Sequence, residues 1–374
     1  KVPVSELVAK HGVRDVVGGE RETVDAETHL SWFEAARDGR LDGDSRFTDC
    51  ITSHLERCRG AIAVIKMPFH LTSMPDSPTI RGRARRAGTH LGMTDELHSP
   101  IYRSTGTSDL HVSSLFGLSG KVAVVTGGSR GIGFMIAAGL ITNDVTTYIT
   151  ARKAAACDAA AAELDALSDS ASCVSIPADL SDDAGVEAFV TSLREHTNHV
   201  DILINNAGAA WGAPLGEFPG AGFDKVMDIN IKAPFMLTQA LLPELEAEAT
   251  ADDPARVVMI GSIDGIRVPT GDNYSYSAAK AGIHMLARHL GAHVAGRHIT
   301  VNTIAPGPFE SKMMEYMLEA DDRRAMVINQ VPRQRIGTTE DIAGTVIFLA
   351  SRAGAFTTGA TIPVDGGIST TRMG

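Results

Sequence analysis

Short apolar runs alternate with longer alanine-rich or amphipathic segments from about residue 115 to the end of the chain. The apolar runs are rich in β-branched residues, which is typical of buried parallel strands, and the longer segments have the length of helices. The pattern predicts strands at 122–125, 145–150, 172–177, 200–204, 256–260, 299–304 and 361–364. It predicts helices at 132–140, 153–167, 182–196, 222–247, 274–295 and 339–351, with Ser181 as the N-cap of the third. This alternation predicts an α/β fold, a doubly wound parallel sheet (Rossmann fold) that binds ligands at the carboxyl ends of its strands.

The first third of the chain lacks this alternation. Two helices are expected at 25–37 and 44–59, followed by a loop at 72–92 that is rich in Pro, Ser, Gly and Arg, and a Ser/Thr-rich linker at 94–114. No chemical motif occurs in this part of the sequence. We therefore divide the chain into an N-terminal extension and linker of unknown function, 1–113, and a Rossmann-fold domain, 114–374.

Composition and charge exclude several classes of function. The net charge of −11 argues against nucleic acid as a partner, and no apolar run is long enough to cross a membrane. Four cysteines without a Cys-x-x-Cys pair favour a reducing compartment, so we expect a cytoplasmic protein, although a targeting peptide removed before Lys1 stays open as an alternative. Cys50, His54 and Cys58 have the spacing of metal ligands, but the same stretch fits a half-buried helix and lacks a fourth ligand, so we predict no metal.

A glycine-rich turn follows the first predicted strand and opens the first predicted helix. Gly127 permits a tight turn, Gly131 lets the backbone approach a pyrophosphate, and Gly133 lets helix and strand pack closely. The free N–H groups and the dipole of the helix favour the negative charge of a phosphate. The predicted cofactor contacts in this turn are Gly127, Ser129, Arg130, Gly131, Ile132 and Gly133.

The end of the second strand selects the cofactor. A carboxylate there would bind the ribose 2′-OH of NAD, whereas a cation accommodates the 2′-phosphate of NADP. This chain has Arg152 and no acid at that point, and Arg130 adds a second cation, so the sequence favours NADP(H). Asp179 and Leu180 follow the third strand, where an adenine ring would lie, although Asp179 also fits a helix cap. Asn206, Ala207 and Gly208 follow the fourth strand, where an Asn side chain can tie neighbouring strand ends and Gly208 leaves room for the cofactor.

A tyrosine and a lysine four residues apart carry the strongest chemical signal. Tyr276 and Lys280 share one helical face, and an ammonium beside a phenol favours phenolate, so we expect Lys280 to lower the pKa of Tyr276. A tyrosine with a lowered pKa can act as an acid or base near neutral pH. Ser262, after the fifth strand, is placed to bind the reacting oxygen. Tyr274 is a competitor, but its spacing to Lys280 does not fit one face.

Together these motifs resemble those of the short-chain dehydrogenase/reductase family, over about residues 115–367. The matching segments are Thr126 to Gly133, Asn205 to Gly208, Asn230, the set Ser262, Tyr276 and Lys280, Pro306-Gly307, and Asp365-Gly366-Gly367. Fourteen positions separate Ser262 from Tyr276, one more than in the commonest members. That spacing is similar to that of 3-oxoacyl reductases of the rhamnolipid-pathway type and their fungal relatives.

The resemblance implies a mechanism and a site. NADPH would deliver hydride to a ketone carbon while Tyr276 donates the proton, Lys280 holds the nicotinamide ribose, Ser262 orients the carbonyl and Asn230 supports a water relay. Tyr276, Lys280, Pro306 and Gly307 would also contact the cofactor. The implied partner is an apolar or acyl carbonyl compound, and the implied assembly is a homotetramer or homodimer. Two alternatives stay open: an NAD(P)-dependent alcohol dehydrogenase that works oxidatively, and a non-enzymatic nucleotide-binding assembly subunit.

The substrate pocket is predicted only in outline. Apolar residues in the segment 308–316 after the sixth strand, together with Trp211 after the fourth, are expected to close over the substrate as a lid. The alternative is that they pack the lid onto its own domain. The residues concerned are Trp211, Phe309, Met313, Met314 and Tyr316.

Overall fold

The computed structural model describes residues 110–312 and 314–371. Within these residues seven parallel strands form one sheet, in the order β3-β2-β1-β4-β5-β6-β7. The strands are β1 Val122–Thr126, β2 Thr146–Thr150, β3 Cys173–Ser175, β4 Ile202–Asn205, β5 Ala255–Ile260, β6 Ile299–Pro306 and β7 Thr361–Val364. The strand order reverses between β1 and β4, which confirms the doubly wound Rossmann fold.

Helices connect the strands and cover both faces of the sheet. They are α1 Val112–Phe116, α2 Gly131–Ile141, α3 Ala154–Asp165, α4 Asp183–Arg194, α5 Gly220–Met227, α6 Ala233–Ala240, α7 Leu242–Glu246, α8 Tyr274–Val294, α9 Glu315–Leu318, α10 Asp321–Asn329 and α11 Thr339–Ala350. Helix α1 overlaps the predicted linker at 94–114. The predicted helices at 25–37 and 44–59 and the Cys50, His54 and Cys58 group lie outside the described residues.

Alternate residues of each central strand face opposite cores. Ala123 and Val125 pack with the first core, which includes residues of α2, α3 and α11, while Val124 packs with the second, which includes residues of α4, α6 and α8. All five residues of β1 are buried, which explains why the strand is apolar at every position up to Thr126 instead of alternating between apolar and polar residues. The parallel pairing of β1 with β2 and β4 places the carboxyl ends of these strands at one common edge.

Two local predictions were wrong. The helix predicted at 222–247 is interrupted by a π-helical turn at Asp228–Lys232 and again at Leu241. Pro243 follows that second break, and a proline inside a helix removes one hydrogen bond and clashes with the preceding turn. The N-cap of α4 is Asp182 and not Ser181, because the Asp182 carboxylate accepts a hydrogen bond from the backbone N–H of Gly185 at 2.8 Å.

Candidate active site

The glycine turn between β1 and α2 adopts a backbone that only small residues tolerate. Gly127 and Gly131 have φ angles of 67° and 55°, in the left-handed region. A Cβ atom on Gly133 would lie 2.3 Å from the carbonyl oxygen of Gly127, so helix and turn can approach this closely only with glycine. Arg130 is the N-cap residue of α2 and its side chain makes no cap hydrogen bond. The first N–H groups of α2, including those of Ile132 and its neighbours, are therefore available to an anion.

A hydroxyl and an amide brace this turn against β4. The Thr126 Oγ1 atom accepts hydrogen bonds from the backbone N–H groups of Asn206 and Ala207, both at 2.9 Å. The Asn206 Nδ2 atom donates to the carbonyl oxygens of Thr126 at 2.8 Å and Gly127 at 3.2 Å. The expectation that an Asn side chain ties the strand ends is confirmed. Sequence reasoning did not select Thr126 as a site residue, although a hydroxyl at a strand end directly before the glycine turn was an available signal.

The residues predicted to select the cofactor follow β2 and β3. Arg152 Nη1 lies 3.9 Å from Asp179 Oδ2, and both side chains are exposed, at 65% and 51%. Asp179 does not cap α4, since Asp182 does. Leu180 is buried and packs with the second core. The structure thus brings Arg152, Asp179 and Leu180 together, with an exposed guanidinium that solvent or a phosphate can reach.

Helix α8 places Tyr276 and Lys280 in a buried site behind Ser262. Tyr276 is 9% exposed, Lys280 5% and Ser262 8%. The Lys280 Nζ atom lies 5.5 Å from the centroid of the Tyr276 ring and donates a hydrogen bond of 2.7 Å to the carbonyl oxygen of Ile260 at the end of β5. A Cβ atom on Gly265 would lie 2.5 Å from the carbonyl carbon of Lys280, so the loop after Ser262 packs directly on α8.

Burial controls the ionisation of this pair. It raises the pKa of Tyr276 to about 12, opposed by a side-chain hydrogen bond with Ser262 and increased by the nearby Asp264 carboxylate. Burial also lowers the pKa of Lys280 to about 8. The expectation that Lys280 lowers the pKa of Tyr276 was therefore wrong for this structure. The ammonium lies over the ring and binds a backbone oxygen, so its charge does not offset the cost of burying a phenolate.

Asn230 lies in the π-helical turn between α5 and α6. Its Nδ2 atom donates to the carbonyl oxygens of Ala209 and Val226, both at 2.8 Å, while its Oδ1 atom is buried without a hydrogen-bond partner among the described residues. A Cβ atom on Gly208 would lie 2.7 Å from that Oδ1 atom, so glycine is what keeps this acceptor clear. An unpaired buried acceptor next to the cofactor motif suits a bound water.

The strand β6 ends in Pro306 and Gly307 beside the Asp-Gly-Gly motif. The N–H of Gly307 donates to the carbonyl oxygen of Val364 at 3.0 Å, and a Cβ atom on Gly307 would lie 2.8 Å from the Cα of Asp365. The segment that follows returns to the glycine turn, since a Cβ atom on Gly131 would lie 3.3 Å from the Cβ of Ser311. Pro306 and Gly307 therefore lead the chain toward the predicted phosphate site.

The predicted lid residues divide into two groups. Phe309 is 2% exposed and packs with the first core, so for this residue the structure shows the second alternative, packing onto its own domain. Tyr316 is 68% exposed and Trp211 38%, with the Lys225 Nζ atom 5.7 Å from the Trp211 ring. Met314 is half-buried, and Met313 lies outside the described residues. The short helices α9 and α10 complete this segment and were not predicted.

Two further buried or ionisable groups near the site escaped sequence reasoning. His284 follows Lys280 by one turn of α8, and its Nε2 atom is buried without a hydrogen-bond partner among the described residues. Burial, with the nearby charges of Lys280 and Arg288, lowers the pKa of His284 to about 4. Asp264 accepts a hydrogen bond from Asn273 Nδ2 at 3.0 Å and acts on Tyr276 through its charge. No motif in the sequence points to either residue.

The described residues hold neither a metal cluster nor a membrane-spanning helix. They contain no group of three or more His, Cys, Asp or Glu side chains placed to hold a metal ion. Cys157 and Cys173 are free and buried. None of the helices between residues 110 and 371 has both the length and the apolar character that a membrane crossing requires.

Comparison with known proteins shows which proteins this chain is similar to. The family described as "Enoyl-(Acyl carrier protein) reductase" matches residues 127–369. The rhamnolipids biosynthesis 3-oxoacyl-[acyl-carrier-protein] reductase of Pseudomonas aeruginosa is 45% identical over 254 residues, which are 67% of this chain and 97% of the relative. The 3-oxoacyl-[acyl-carrier-protein] reductase FabG of Escherichia coli is 35% identical, over 67% of this chain and 97% of the relative.

Solved structures agree with these relatives. The Pseudomonas aeruginosa RhlG/NADP active-site complex superposes with a TM-score of 0.66 at 43% identity, covering 68% of this chain and 99% of that one. A short-chain type dehydrogenase/reductase from Mycobacterium marinum gives a TM-score of 0.64 at 25% identity, covering 70% of this chain and all of that one. The ordered motifs, the sheet topology and the matched relatives lead to one conclusion: the chain belongs to the short-chain dehydrogenase/reductase family.

Proposed function

We propose that this chain is an NADPH-dependent reductase that converts the ketone of a 3-oxoacyl compound, or of another apolar carbonyl substrate, to a secondary alcohol. The observation that carries the proposal is a buried set of three polar side chains. Tyr276 and Lys280 lie on α8 and Ser262 follows β5, at the same edge of the sheet as the glycine turn. The relatives named above as 3-oxoacyl-[acyl-carrier-protein] reductases support the substrate class.

The residues present fit NADP(H). The left-handed glycines and the uncapped start of α2 form a cradle that an added Cβ would fill, which suits a pyrophosphate. Arg152 is exposed at the end of β2, where no carboxylate of β2 competes, and it would bind the 2′-phosphate together with Arg130. The solved neighbour in complex with NADP supports the same cofactor.

When bound, the cofactor supplies the hydride, and the side chains of the site handle the proton and the carbonyl oxygen. Tyr276 Oη donates its proton to the oxygen of the substrate as negative charge develops there. Ser262 Oγ accepts a hydrogen bond from the N–H of Asp264 at 3.1 Å and would use its hydroxyl hydrogen to orient the same oxygen. A phenol with a pKa raised to about 12 remains protonated at neutral pH, which is the form that a reductase needs as donor.

Lys280 and Asn230 would return the proton to Tyr276. The Lys280 ammonium reaches the backbone at the end of β5, and its pKa of about 8 leaves it mostly protonated at neutral pH. The unpaired Oδ1 atom of Asn230 supplies an acceptor for a water in the relay. Because Lys280 and Asn230 are both buried, the path that returns a proton to Tyr276 would run inside the protein.

The two alternatives from the sequence are less well supported. An assembly subunit has no need of four buried polar residues, one with an unpaired oxygen and two with pKa values shifted by burial. The relatives with 45% and 35% identity are named as reductases. An oxidative dehydrogenase would use the same residues in reverse. Exposed apolar side chains on α6 and α8, Phe235 and Met285, support a homodimer or homotetramer, and the free Cys157 and Cys173 support a cytoplasmic location.

A direct assay tests the proposal. The full chain is incubated with NADPH and 3-oxoacyl thioesters of increasing chain length, and the loss of NADPH absorbance is followed. We expect NADPH oxidation with the thioesters, a much slower rate with NADH, and a secondary alcohol as product. If no 3-oxoacyl thioester or apolar ketone is reduced while NADPH still binds, the proposed function is wrong.

A further inference from the structure

A pair of histidines lies on the last turns of α8, away from the candidate active site. His289 and His293 are four residues apart, both are exposed, and their Nε2 atoms are 3.1 Å apart. The centroids of the two rings are 4.8 Å apart, with an angle of 53° between the ring planes. His289 is nine positions after Lys280, which corresponds to about 14 Å along a helix. The pair is therefore distinct from the catalytic set.

Two explanations account for this short contact, a hydrogen bond between the rings and two ligands of one metal ion. A linear hydrogen bond between rings would hold the centroids roughly 5.3 Å apart, because each centroid lies about 1.1 Å behind its nitrogen. Two imidazoles on one metal ion, each at about 2.1 Å and at an angle of about 90–109°, have centroids roughly 4.5–5.2 Å apart and nitrogens roughly 3.0–3.4 Å apart. The observed 4.8 Å and 3.1 Å both fall within the second pair of ranges, and a bent hydrogen bond gives the same distances, so the two Nε2 atoms are close enough to bind one ion together.

The position on the helix also favours a cation. Helix α8 ends at Val294, so His293 lies in the last turn, where the helix dipole attracts positive charge. Imidazole nitrogen is a ligand that Zn²⁺, Ni²⁺ and Cu²⁺ prefer, whereas Mg²⁺ and Ca²⁺ prefer oxygen. No third His, Cys, Asp or Glu completes a cluster in the described part of the chain, so water would fill the other coordination positions.

We propose that His289 and His293 form a surface site for a divalent transition-metal ion of the zinc, nickel or copper class, bound through both Nε2 atoms and by water. The bound ion bridges consecutive turns of the helix that carries Tyr276 and Lys280, and so stabilises that helix at its carboxyl end. The site takes no part in hydride or proton transfer. It is independent of the proposed function, because it rests on the histidine geometry alone.

Titration calorimetry of the full chain with Ni²⁺ tests the proposal. The variants are His289→Ala and His293→Ala, and the matched control is His196→Ala, which removes another exposed imidazole. Alanine favours a helix, so both α8 variants should fold. We expect the unmodified chain and the control to share one binding event that both α8 variants lose or weaken at least tenfold. Identical isotherms for all four proteins would show a hydrogen-bonded pair only.

Two further measurements sharpen the result. Ni²⁺ should raise the melting temperature of the unmodified chain more than that of either α8 variant, since an ion that binds only the folded state stabilises it. Each α8 variant should bind NADPH with unchanged affinity in the absence of added metal. Equal Ni²⁺-induced shifts in all proteins would overturn the site. If the unmodified chain does not oxidise NADPH in the thioester assay, the proposed function is contradicted. The result of the Ni²⁺ titration does not depend on that assay.

Discussion

The amino ends of the strands (the amino edge of the sheet) and their carboxyl ends (the carboxyl edge) both carry buried polar groups, but these groups differ in how they are paired. At the amino edge, Arg256 is 1% exposed, and its guanidinium donates to the carbonyl oxygens of Leu349 and Ser351 at 3.1 and 3.0 Å and to Asp253 at 3.2 Å. Lys121 Nζ lies 2.6 Å from the same Asp253 carboxylate. Charges at this edge neutralise one another, and among the Arg256 nitrogens Nη1 alone lacks a partner within the described residues.

At the carboxyl edge the polar groups are left available. Thr150 Oγ1 and Asn230 Oδ1 are buried without hydrogen-bond partners in the described part of the chain. Tyr276 and Lys280 have pKa values shifted by burial in opposite directions. Unpaired buried acceptors cost stability, so we expect a ligand or a bound water to complete those at this edge. The contrast separates residues that hold the sheet together from residues that work on a substrate.

The largest expected effect is at the carboxyl edge. Tyr276→Phe keeps the buried ring and removes the proton donor, so we expect turnover to fall by at least about 10³-fold, within the range for loss of a general acid. NADPH affinity should stay nearly unchanged, because the phenol oxygen adds little to cofactor binding. Steady-state kinetics and a fluorescence titration of NADPH measure the two quantities. Equal turnover in the variant would remove Tyr276 from the mechanism.

At the amino edge we expect a substitution to lower stability and to leave NADPH binding unchanged. Arg256→Ala should lower the free energy of unfolding by about 3–5 kcal/mol, because it opens a cavity and leaves buried carbonyl oxygens and a carboxylate without their partner. Arg256→Met retains most of the volume and should cost less. NADPH affinity of the folded protein should not change in either variant. Denaturant unfolding measures the stability of both variants, and titration with NADPH measures their cofactor affinity. A folded Arg256→Ala variant that no longer binds NADPH would contradict the division between the edges.

Ser262→Ala tests the oxygen-orienting role. We expect a loss of about 10²–10³-fold in turnover, as for the removal of one hydrogen bond to a reacting oxygen. Ser275→Ala and Ser277→Ala are matched controls on α8, and both should retain activity. Rate measurements on the three variants suffice. If Ser275 or Ser277 proved the damaging position, the assignment of Ser262 after β5 would be wrong.

A smaller effect is expected where the cofactor is selected. Arg152→Asp should shift preference from NADPH toward NADH by about 10–100-fold, since a charge-assisted hydrogen bond of roughly 1.5–3 kcal/mol is lost and a carboxylate is gained. Asp179 lies 3.9 Å from Arg152, so the added carboxylate would also meet a like charge. The double change with Arg130→Ala should act more strongly. Unchanged kcat/KM ratios for the two cofactors in the double variant would refute the placement.

The sheet was predictable because its strands are short apolar runs between turn residues. Each predicted strand overlaps an observed one, and Thr361–Val364 has the predicted bounds. The helix at 222–247 was not predictable in detail, since a π-helical turn leaves the apolar periodicity of its surroundings intact. Pro243 was the visible signal for the second break.

The sequence brings the candidate site residues together, but it does not predict their electrostatics. Tyr276 and Lys280 follow from a spacing of four on one helix, and Asn206 from its position at a strand end. The pKa of Tyr276 depends on how much water reaches the phenol and on where the ammonium points, which the three-dimensional packing decides. For the same reason Phe309 could not be assigned to the core or to a lid from sequence alone.

The smallest effect is expected from removing the N-terminal extension. The residues of both sheet edges lie between 110 and 371, and the relatives are covered almost completely by 67% of this chain. We therefore expect a chain that begins at Thr105 to fold, to bind NADPH with unchanged affinity and to retain the reduction step. Kinetics, NADPH titration and a sizing measurement compare it with the full chain. A folded truncation that binds NADPH but reduces no substrate of the full chain would show that residues before Thr105 belong to the active site.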